Sequence, residues 1–450
     1  MKKNPVKTHP RIGIALALLL MIGCRENANQ TNRPNIILIM ADDLGYETVG
    51  ANGGTSYITP QIDRMAQEGI RFEHCYAQPL CTPSRVQIMT GIYNVRNYVR
   101  FGLLEESQTT FGHLFTNAGY ATCIVGKWQL GKDPYSPQKA GFDEHCLWQV
   151  RKGRIDTAGR DTRYSMPVLE TNGKVQTYAK EDYGPDIVSD YGLDFIERSV
   201  QKKQAFFLYY PMILTHCPFS PTPGSPEWTT DDTTIMTYKG QAPYFQDMMA
   251  HTDKIIGKIN RRLTELGVRD NTLIVFTGDN GTDKPIVSSM NGRIIAGAKG
   301  QSTDAGTRVP LVIQWPHVIK SPSICQDLVD FSDILPTLCQ AAHVVVPDSL
   351  DIDGRSFMPQ LNGEKGNPRT WIYNWYSRNG DQAVARVFAR NHRYKLYTSG
   401  EFFDVPNDYL EQNPLDILDL NKEVLEIHTE LSVVLAHYQK RRLVDVAASQ

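Results

Sequence analysis

The sequence predicts an α/β fold in which helices flank a large, mostly parallel sheet, followed by a smaller C-terminal α+β domain with an antiparallel sheet. Three observations predict this fold. Short apolar runs alternate with helical stretches up to about residue 345, as they do in a mostly parallel sheet. The runs are continuously apolar, which is typical of strands that are buried on both faces. Beyond about residue 370, aromatic, β-branched and polar residues alternate, as they do in antiparallel strands.

The individual elements can be placed in chain order. Five apolar runs are the predicted strands of the main sheet: residues 35–40, 121–126, 205–214, 272–278 and 309–315. Five stretches are predicted to be helical: residues 61–69, 111–118, 186–200, 250–266 and 327–341. We expect a kink at Pro336, inside the last of these helices. The C-terminal predictions are strands within residues 370–376, 383–391 and 394–400, and a closing helix over residues 422–442.

The first 24 residues have the order of a secretion signal. Four basic residues precede an apolar run at residues 12–22, and Gly23 and Cys24 follow it. The run is too short to span a bilayer, and the order of basic, apolar and small residues is that of a signal peptide. The small residue before Cys24 resembles a bacterial lipoprotein signal, in which that cysteine is lipidated and becomes the mature N-terminus. An ordinary signal peptide that is cut nearby is the alternative.

This segment sets the expected location and the domain plan. We predict an exported lipoprotein in the periplasm or on the cell surface of a bacterium, which contacts the membrane only through a lipid on Cys24. The 450 residues leave room for two or three domains. The predicted segments are the signal at 1–24, a polar tether at 25–34, a catalytic domain at 35–360 and a C-terminal α+β subdomain at 361–450.

The charge of the chain argues against nucleic acid as a partner, and the cysteine spacing argues against a cysteine zinc site. The formal net charge is −2, and removal of the signal takes away four basic and no acidic side chains, so nucleic acid is not an expected partner. A locally basic pocket remains compatible with an anionic small substrate. The eight cysteines form no CxxC pair, so a cysteine zinc site is not predicted. Apart from Cys24 and Cys81, which are treated separately, the cysteines are predicted to be buried free thiols: Cys75, Cys123, Cys146, Cys217, Cys325 and Cys339.

Polar residues follow four of the predicted strands. They are Asp42, Asp43, Lys127, Gln129, His216, Asp279 and Asn280. Taken one at a time, they are compatible with turns, helix caps or solvated side chains. If the strands are parallel neighbours, however, their carboxyl ends meet at one edge, where α/β sheets bind ligands. Three carboxylates and an amide are hard oxygen ligands that suit Ca²⁺ or Mg²⁺, while a lysine and a histidine add an anion holder and a proton donor.

The segment LCTPSRVQIMTG at residues 80–91 places a cysteine at the start of a predicted helix. Pro83 suits a first helical turn, and Gly91 suits a helix end. Cys81 is therefore predicted at a helix N-terminus, where N–H groups and the helix dipole face whatever it contacts. Several chemistries use such a position, and a buried inert cysteine is the plain alternative.

Five motifs together resemble one enzyme family. The run Cys81-Thr82-Pro83-Ser84-Arg85, followed by Met-Thr-Gly, resembles the signature of the formylglycine-dependent (type I) sulfatases, arylsulfatase-like members of the alkaline phosphatase superfamily. Residues 33–46, 126–131, 278–282 and 298–310 resemble segments of that family in the same order. The resemblance is strong over residues 33–345 and looser beyond them.

The resemblance implies a function, two cofactors and a set of site residues. It implies hydrolysis of a sulfate ester by a formylglycine (3-oxoalanine), which a sulfatase-maturation enzyme makes from Cys81, together with Ca²⁺. The implied metal ligands are Asp42, Asp43, Cys81, Asp279 and Asn280. The implied catalytic residues are Cys81, Arg85, Lys127, Gln129, His216 and Lys299. The two lysines would hold the sulfate, Arg85 would fix the hydrated aldehyde and the nearby carboxylates, and His216 would donate a proton to the departing alcohol oxygen.

One position departs from the family pattern. The family usually has histidine where this chain has Gln129. Glutamine forms hydrogen bonds but does not titrate. If that histidine is the base of the second half-reaction, this chain needs a substitute or performs that step more slowly. The alternative is that the amide recognises the leaving group of a particular class of substrate.

The substrate and two rival functions remain open at this level. A sulfated carbohydrate suits an exported protein, and the basic residues of one loop are either a solvated face or a holder of uronates or further sulfates. Those residues are Arg151, Lys152, Arg154, Arg160 and Arg163. One rival is a metal-dependent phosphatase or phosphodiesterase of the same fold, which usually has a serine or threonine nucleophile and two zinc sites. The other is a non-catalytic lipoprotein that binds sulfated glycans, and only Gln129 favours it.

Overall fold

The computed structural model describes Met1 and residues 33–228, 234–320 and 322–442. The predicted signal segment, the lipidated Cys24 and most of the predicted tether therefore lie outside the described residues. Among the helices that the structure describes, none has the length and apolarity needed to cross a membrane.

The strands alternate with helices along most of the chain. In chain order the strands are β1 (Asn35–Ala41), β2 (Ile70–Tyr76), β3 (Ala121–Lys127), β4 (Glu144–Trp148), β5 (Val168–Thr171), β6 (Lys174–Thr177), β7 (Phe206–Pro211), β8 (Thr272–Gly278), β9 (Val287–Met290), β10 (Arg293–Ala296), β11 (Arg308–Gln314), β12 (Ser323–Asp330), β13 (Ile372–Tyr376), β14 (Arg386–Arg390), β15 (Tyr394–Tyr397) and β16 (Phe402–Asp404). The α-helices are α1 (Pro60–Gln67), α2 (Cys81–Thr90), α3 (Asn94–Asn97), α4 (Phe111–Asn117), α5 (Ser136–Lys139), α6 (Gly184–Gln201), α7 (Phe245–Glu265), α8 (Asp304–Thr307), α9 (Ile334–Ala341), α10 (Met358–Leu361) and α11 (Lys422–Gln439).

A mixed ten-stranded sheet forms the centre of the molecule. Its order is β12-β2-β11-β8-β1-β7-β3-β4-β5-β6. The neighbours β8, β1, β7 and β3 are parallel to one another, so their carboxyl ends lie at the same edge. This confirms the arrangement that the sequence predicted for the four polar clusters.

Both faces of the sheet are covered, which explains the continuous apolarity of its strands. Side chains of β1 alternate between two apolar layers, with Ile36 and Leu38 on one side and Ile37 and Ile39 on the other. Helices α2, α4 and α9 contribute to the first layer, and α1, α6 and α7 contribute to the second. The sheet is therefore a rigid middle layer that fixes the positions of the loops at its edge.

The sheet differs from the sequence prediction in several places. The run at 309–315 forms β11, which is antiparallel to both β2 and β8. Five strands of the sheet were not predicted: β2, β4, β5, β6 and β12. The predicted helix at 327–341 is wrong in its first part, because β12 continues to Asp330 by pairing with β2. Pro336 is the third residue of α9. It lies in a first helical turn, where no N–H partner is needed, and not at a kink.

The C-terminal part has the predicted α+β composition. Strands β13 to β16 form a four-stranded antiparallel sheet, and α11 occupies most of the predicted closing helix. Tyr438 of α11 stacks on Tyr373 of β13 with ring centroids 4.5 Å apart, so the last helix is attached to the small sheet. The boundary at residue 360 stays a prediction.

Candidate active site

Two neighbouring strand ends bring the acidic residues together. Asp42 and Asp43 follow β1, and Asp279 and Asn280 follow β8, which pairs with β1 in parallel up to Ala41 and Gly278. The backbone N–H of Asp43 donates to Asp279 Oδ1 over 2.9 Å. The side-chain amide of Asn280 donates to Asp43 Oδ1, also over 2.9 Å. All four side chains are buried, so the strand register assembles a compact acidic cluster away from bulk water.

The loops that carry this cluster approach each other closely. A Cβ atom on Gly278 would lie 1.9 Å from the carbonyl oxygen of Leu44, so only glycine fits there. Asp43 has φ 61°, a left-handed conformation that is uncommon outside glycine and often occurs at functional sites. The glycine before Asp279 is therefore part of the architecture of the site.

One buried lysine and one partly buried lysine neutralise two of the carboxylates. Lys127, the last residue of β3, places Nζ 2.7 Å from Asp42 Oδ2, and Lys299 places Nζ 2.6 Å from Asp43 Oδ2. Burial by itself would lower the pKa of each lysine, but the adjacent carboxylates outweigh it, so both pKa values are raised. Both ammonium groups therefore stay charged at neutral pH and can attract an anion.

Cys81 lies where the sequence predicted it, as the first residue of helix α2. Its Sγ is 3.7 Å from Oε1 of Gln129, so the amide at the position where the family usually has histidine directly contacts the candidate nucleophile position. Gln129 has φ 46°, again a conformation that is uncommon outside glycine. The prediction that Cys81 and Gln129 belong to one site is therefore supported by their contact.

Arg85 contacts the backbone near Cys81, and the role that the resemblance implies for it stays a prediction. It lies one helical turn after Cys81, and its guanidinium donates to the carbonyl oxygens of Lys127, over 2.6 Å, and Trp128. These two bonds go to the backbone at the end of β3, and no ion pair joins Arg85 to the acidic cluster within the described residues. Arg85 attaches helix α2 to the loop that carries Lys127 and Gln129, while its buried Nε atom has no partner within the described residues.

His216 faces the acidic cluster from the end of β7. Its Nε2 lies 3.6 Å from Asp43 Oδ2, and its Nδ1 lies 2.7 Å from Arg163 Nη1 and 2.6 Å from the carbonyl oxygen of Cys217. Burial first, and then the charges of Lys299, Arg163 and Lys127, hold its pKa well below the usual value. His216 is therefore a neutral imidazole at neutral pH.

The basic loop of the sequence analysis is largely engaged in ion pairs. Four of its five basic residues bond to carboxylates of the same chain: Arg151 to Glu170, Arg154 to Asp161, Arg160 to Asp156 and Arg163 to Asp161. These arginines are thus less available to uronates or sulfates than their charge indicated. Sequence reasoning placed Arg163 only in this basic loop and did not connect it with His216, because it directly follows no predicted strand and reaches the histidine only through the fold.

The donor atoms fit a divalent cation. One ligand atom each from Asp42, Cys81 and Asp279 lies within 4.8 Å of the others, and the same holds for Asp42, Asp43 and His216. Two buried oxygens, Asp42 Oδ1 and Asn280 Oδ1, have no hydrogen-bond partner within the described residues. Burial and then the charge of Asp42 raise the pKa of Asp279 well above its usual value. A cation among these oxygens would satisfy the free acceptors and stabilise the ionised carboxylates.

Comparisons with known proteins identify the family of this chain. The family model described as Sulfatase matches residues 34–344, and that of the N-sulphoglucosamine sulphohydrolase C-terminal region matches residues 299–441. The chain is 30% identical to N-acetylgalactosamine-6-sulfatase of Homo sapiens over 438 residues, which cover 89% of this chain and 79% of that protein. It is 30% identical to arylsulfatase A of Bos taurus over 395 residues, which cover 81% and 74%.

A solved structure extends the likeness to three dimensions. The structure of BT4656 in complex with its substrate, D-glucosamine-2-N,6-O-disulfate, matches with a TM-score of 0.73 and 25% identity, covering 91% of this chain and 98% of that chain. The family match includes the strand ends and loops that carry the carboxylates, the two lysines and Cys81. The chain therefore belongs to the sulfatase family and is a sulfuric ester hydrolase.

Proposed function

We propose that this sulfatase is exported as a lipoprotein and hydrolyses a sulfate ester of a sulfated carbohydrate, with a formylglycine made from Cys81 and a bound Ca²⁺. The observation that carries the proposal is the position of Cys81 at a helix N-terminus, beside the acidic cluster whose Asp42 pairs with the charged Lys127. An anionic ester placed there meets positive charge from the helix dipole and the lysines, with oxygen ligands for a cation beside it.

The unmodified thiol is poorly suited to this reaction. Burial raises the pKa of Cys81, and the opposing effect of the Lys127 charge does not compensate. Because the thiolate and not the thiol is the nucleophile, a buried cysteine with a raised pKa is a weak one. Oxidation to formylglycine supplies a hydrated aldehyde, whose hydroxyl groups are the oxygen nucleophiles that sulfate-ester cleavage requires.

The remaining side chains have three roles: binding the metal, binding the sulfate and contacting the leaving oxygen. Asp42, Asp43, Asp279 and Asn280 would hold Ca²⁺, which offsets the negative charge of the sulfate when it is bound. Lys127 and Lys299 hold the sulfate oxygens and stabilise charge that develops on them. Nε2 of His216 faces the acidic cluster and hydrogen-bonds the oxygen that leaves sulfur.

A sugar substrate is supported by an exposed aromatic side chain near the site. Tyr238 is 54% exposed. Its ring is 4.8 Å from the guanidinium of Arg154 and 5.3 Å from the ammonium of Lys239. Lys239 also pairs with Asp283, which follows β8 close to the acidic cluster. An exposed amphipathic aromatic ring is suited to pack against the face of a sugar ring.

Two measurements test the proposed function directly. The mass of the peptide that contains Cys81, taken after expression with a sulfatase-maturation enzyme, is expected to show conversion to the aldehyde. A desulfation screen over sulfated monosaccharides and glycosaminoglycan oligosaccharides is expected to identify at least one substrate. A persistent thiol with phosphate-ester activity would favour the phosphatase rival, and binding without turnover would favour the non-catalytic one.

The purified protein is expected to hold one tightly bound Ca²⁺ and no stoichiometric zinc. The reason is that the acidic cluster offers carboxylate and amide oxygens, which are the ligands that Ca²⁺ prefers. Elemental analysis of the purified protein, before and after dialysis against a chelator, measures this. Two zinc ions per chain would contradict the prediction and favour the phosphatase rival.

Replacing Gln129 by histidine is expected to change the pH dependence of turnover. A histidine beside position 81 adds an ionisation near its reference pKa of about 6.5, which the glutamine lacks. The acid limb of the kcat profile should therefore gain that ionisation, or the second phase of a sulfate burst should become faster. The measurement is a pH–rate profile with burst kinetics on one sulfated sugar. An unchanged profile with a rise in KM alone would instead place Gln129 in leaving-group recognition.

A further inference from the structure

A second buried residue lies directly behind His216. Arg163 is 1% exposed, and its Nη1 is 2.7 Å from Nδ1 of the histidine. Asp161 holds the guanidinium from the side, with Nε to Oδ1 at 2.8 Å and Nη2 to Oδ2 at 3.2 Å. The guanidinium also lies over the ring of Trp148, 4.3 Å from its centroid. These contacts fix Arg163 in one orientation with a nitrogen aimed at the imidazole.

The contact determines which imidazole nitrogen carries hydrogen. A guanidinium is always protonated in proteins and has only donors. An N–H on Nδ1 of His216 would therefore place two hydrogens between atoms only 2.7 Å apart. If Nδ1 instead accepts from Arg163, the contact is a charge-assisted hydrogen bond, and the single hydrogen of the neutral imidazole must be on Nε2.

The backbone offers the opposite preference. The carbonyl oxygen of Cys217 is 2.6 Å from the same Nδ1 and would accept a hydrogen from it. That acceptor is neutral and belongs to the adjacent residue, whereas Arg163 is charged and is held by Asp161. Because hydrogen bonds with an ionised partner are roughly twice as strong as neutral ones, the arginine decides the outcome.

We propose that Arg163 is a positioning residue that sets the tautomer of His216, so that Nε2 carries the hydrogen and presents it to the oxygen that leaves sulfur. The inference rests on the proposed function, because it takes His216 as the residue that faces the leaving oxygen. It also assigns Nε2 as a donor, so that His216 is not a metal ligand despite its proximity to Asp42 and Asp43.

The chemical benefit depends on the leaving group. As the bond between sulfur and the bridging oxygen breaks, its electron pair stays on that oxygen. An N–H held against the oxygen stabilises this charge, and the need is greatest for alcohols that leave poorly, such as those of sugars. With the other tautomer, the lone pair of Nε2 would face the oxygen and repel the same charge.

The tautomer can be read directly by nuclear magnetic resonance. Long-range ¹⁵N–¹H correlation spectra of protein labelled at its histidines distinguish a bare Nδ1 from a protonated one. The His216 signals are assigned by their loss in His216→Gln. We expect a bare Nδ1 in the wild type and a protonated Nδ1 in Arg163→Met, where only the carbonyl of Cys217 remains as a partner. A protonated Nδ1 in the wild type would overturn the inference. This measurement uses the wild-type protein, so it does not depend on whether a variant of Arg163 folds.

Kinetics supply the second reading, with 4-nitrophenyl sulfate and phenyl sulfate as probes of a good and a poorer leaving group. In Arg163→Met we expect kcat/KM for phenyl sulfate to fall by about 100-fold, which is in the range of general acid contributions. For 4-nitrophenyl sulfate we expect kcat/KM to fall by only about tenfold. Arg163→Lys keeps a charged donor and should restore part of the loss. The matched control is Arg160→Met in the same loop, where the arginine pairs with Asp156, and both esters should react as in the wild type.

The outcomes separate this inference from the proposed function. Equal losses for both esters in Arg163→Met, without rescue by lysine, would show that Arg163 is only structural and would overturn the inference. A wild-type enzyme that hydrolyses neither ester nor any sulfated sugar would instead contradict the proposed function. In that case the tautomer measurement would still decide whether Arg163 controls His216.

Discussion

Replacement of Cys81 by alanine is expected to abolish sulfate-ester hydrolysis while the protein still folds. The side chain of alanine cannot become a hydrated aldehyde, so the nucleophile is lost, and we expect kcat/KM to fall by about 10⁴-fold or more. Alanine fits the first position of helix α2, because it is a good helix former and the thiol has its only described hydrogen bond with Gln129. Initial rates on a sulfated sugar and thermal unfolding of the purified variant measure the two effects.

The control for this experiment is another buried thiol. Cys339 in helix α9 is free and buried, and Cys339→Ala should retain full activity at a similar small cost in stability. Cys81→Ser is expected to be inactive as well, but it is the softer test because some maturation enzymes also oxidise serine. Full activity in Cys81→Ala would show that the chemistry does not pass through this residue.

Replacement of Lys127 by methionine is expected to reduce kcat/KM by about 10³-fold, because it removes a fixed positive charge that faces developing negative charge. The lysine is buried and pairs with Asp42. Breaking such a pair costs about 3–5 kcal/mol of stability when it leaves the other charge uncompensated. Bound Ca²⁺ should offset that loss, since its affinity is expected to be unchanged or higher once a neighbouring cation is gone.

A lysine outside the site makes the matched control. Lys395 is fully buried and pairs with Glu411 over 2.7 Å in the C-terminal sheet. Lys395→Met should lower the melting temperature comparably but leave kcat/KM of the folded protein unchanged. Calcium titrations and thermal unfolding with and without Ca²⁺ complete the comparison. If Lys127→Met lost calcium binding and activity in parallel, its role would be to maintain the metal site and not to hold the substrate.

Local sequence by itself determined the parts of this protein that depend on neighbouring residues. The apolar runs specified β1, β3, β7 and β8, because a strand buried on both faces needs an unbroken apolar segment. Pro83 and Gly91 marked the two ends of the helix that begins at Cys81. The polar residues that follow these strands gave the acidic cluster and Lys127, because parallel strands deliver their carboxyl ends to one edge.

Only the tertiary structure decided what depends on contacts between distant segments. The direction of β11 and the existence of β2 and β12 follow from which strands pair. An apolar run does not specify the direction of the strand with which it pairs. Arg163 and His216 are 53 positions apart, and Arg163 belongs to a loop whose charges looked like a solvated face. Its role depends on burial beside Asp161 and Trp148, because burial allows a guanidinium to determine the hydrogen position on a neighbouring imidazole.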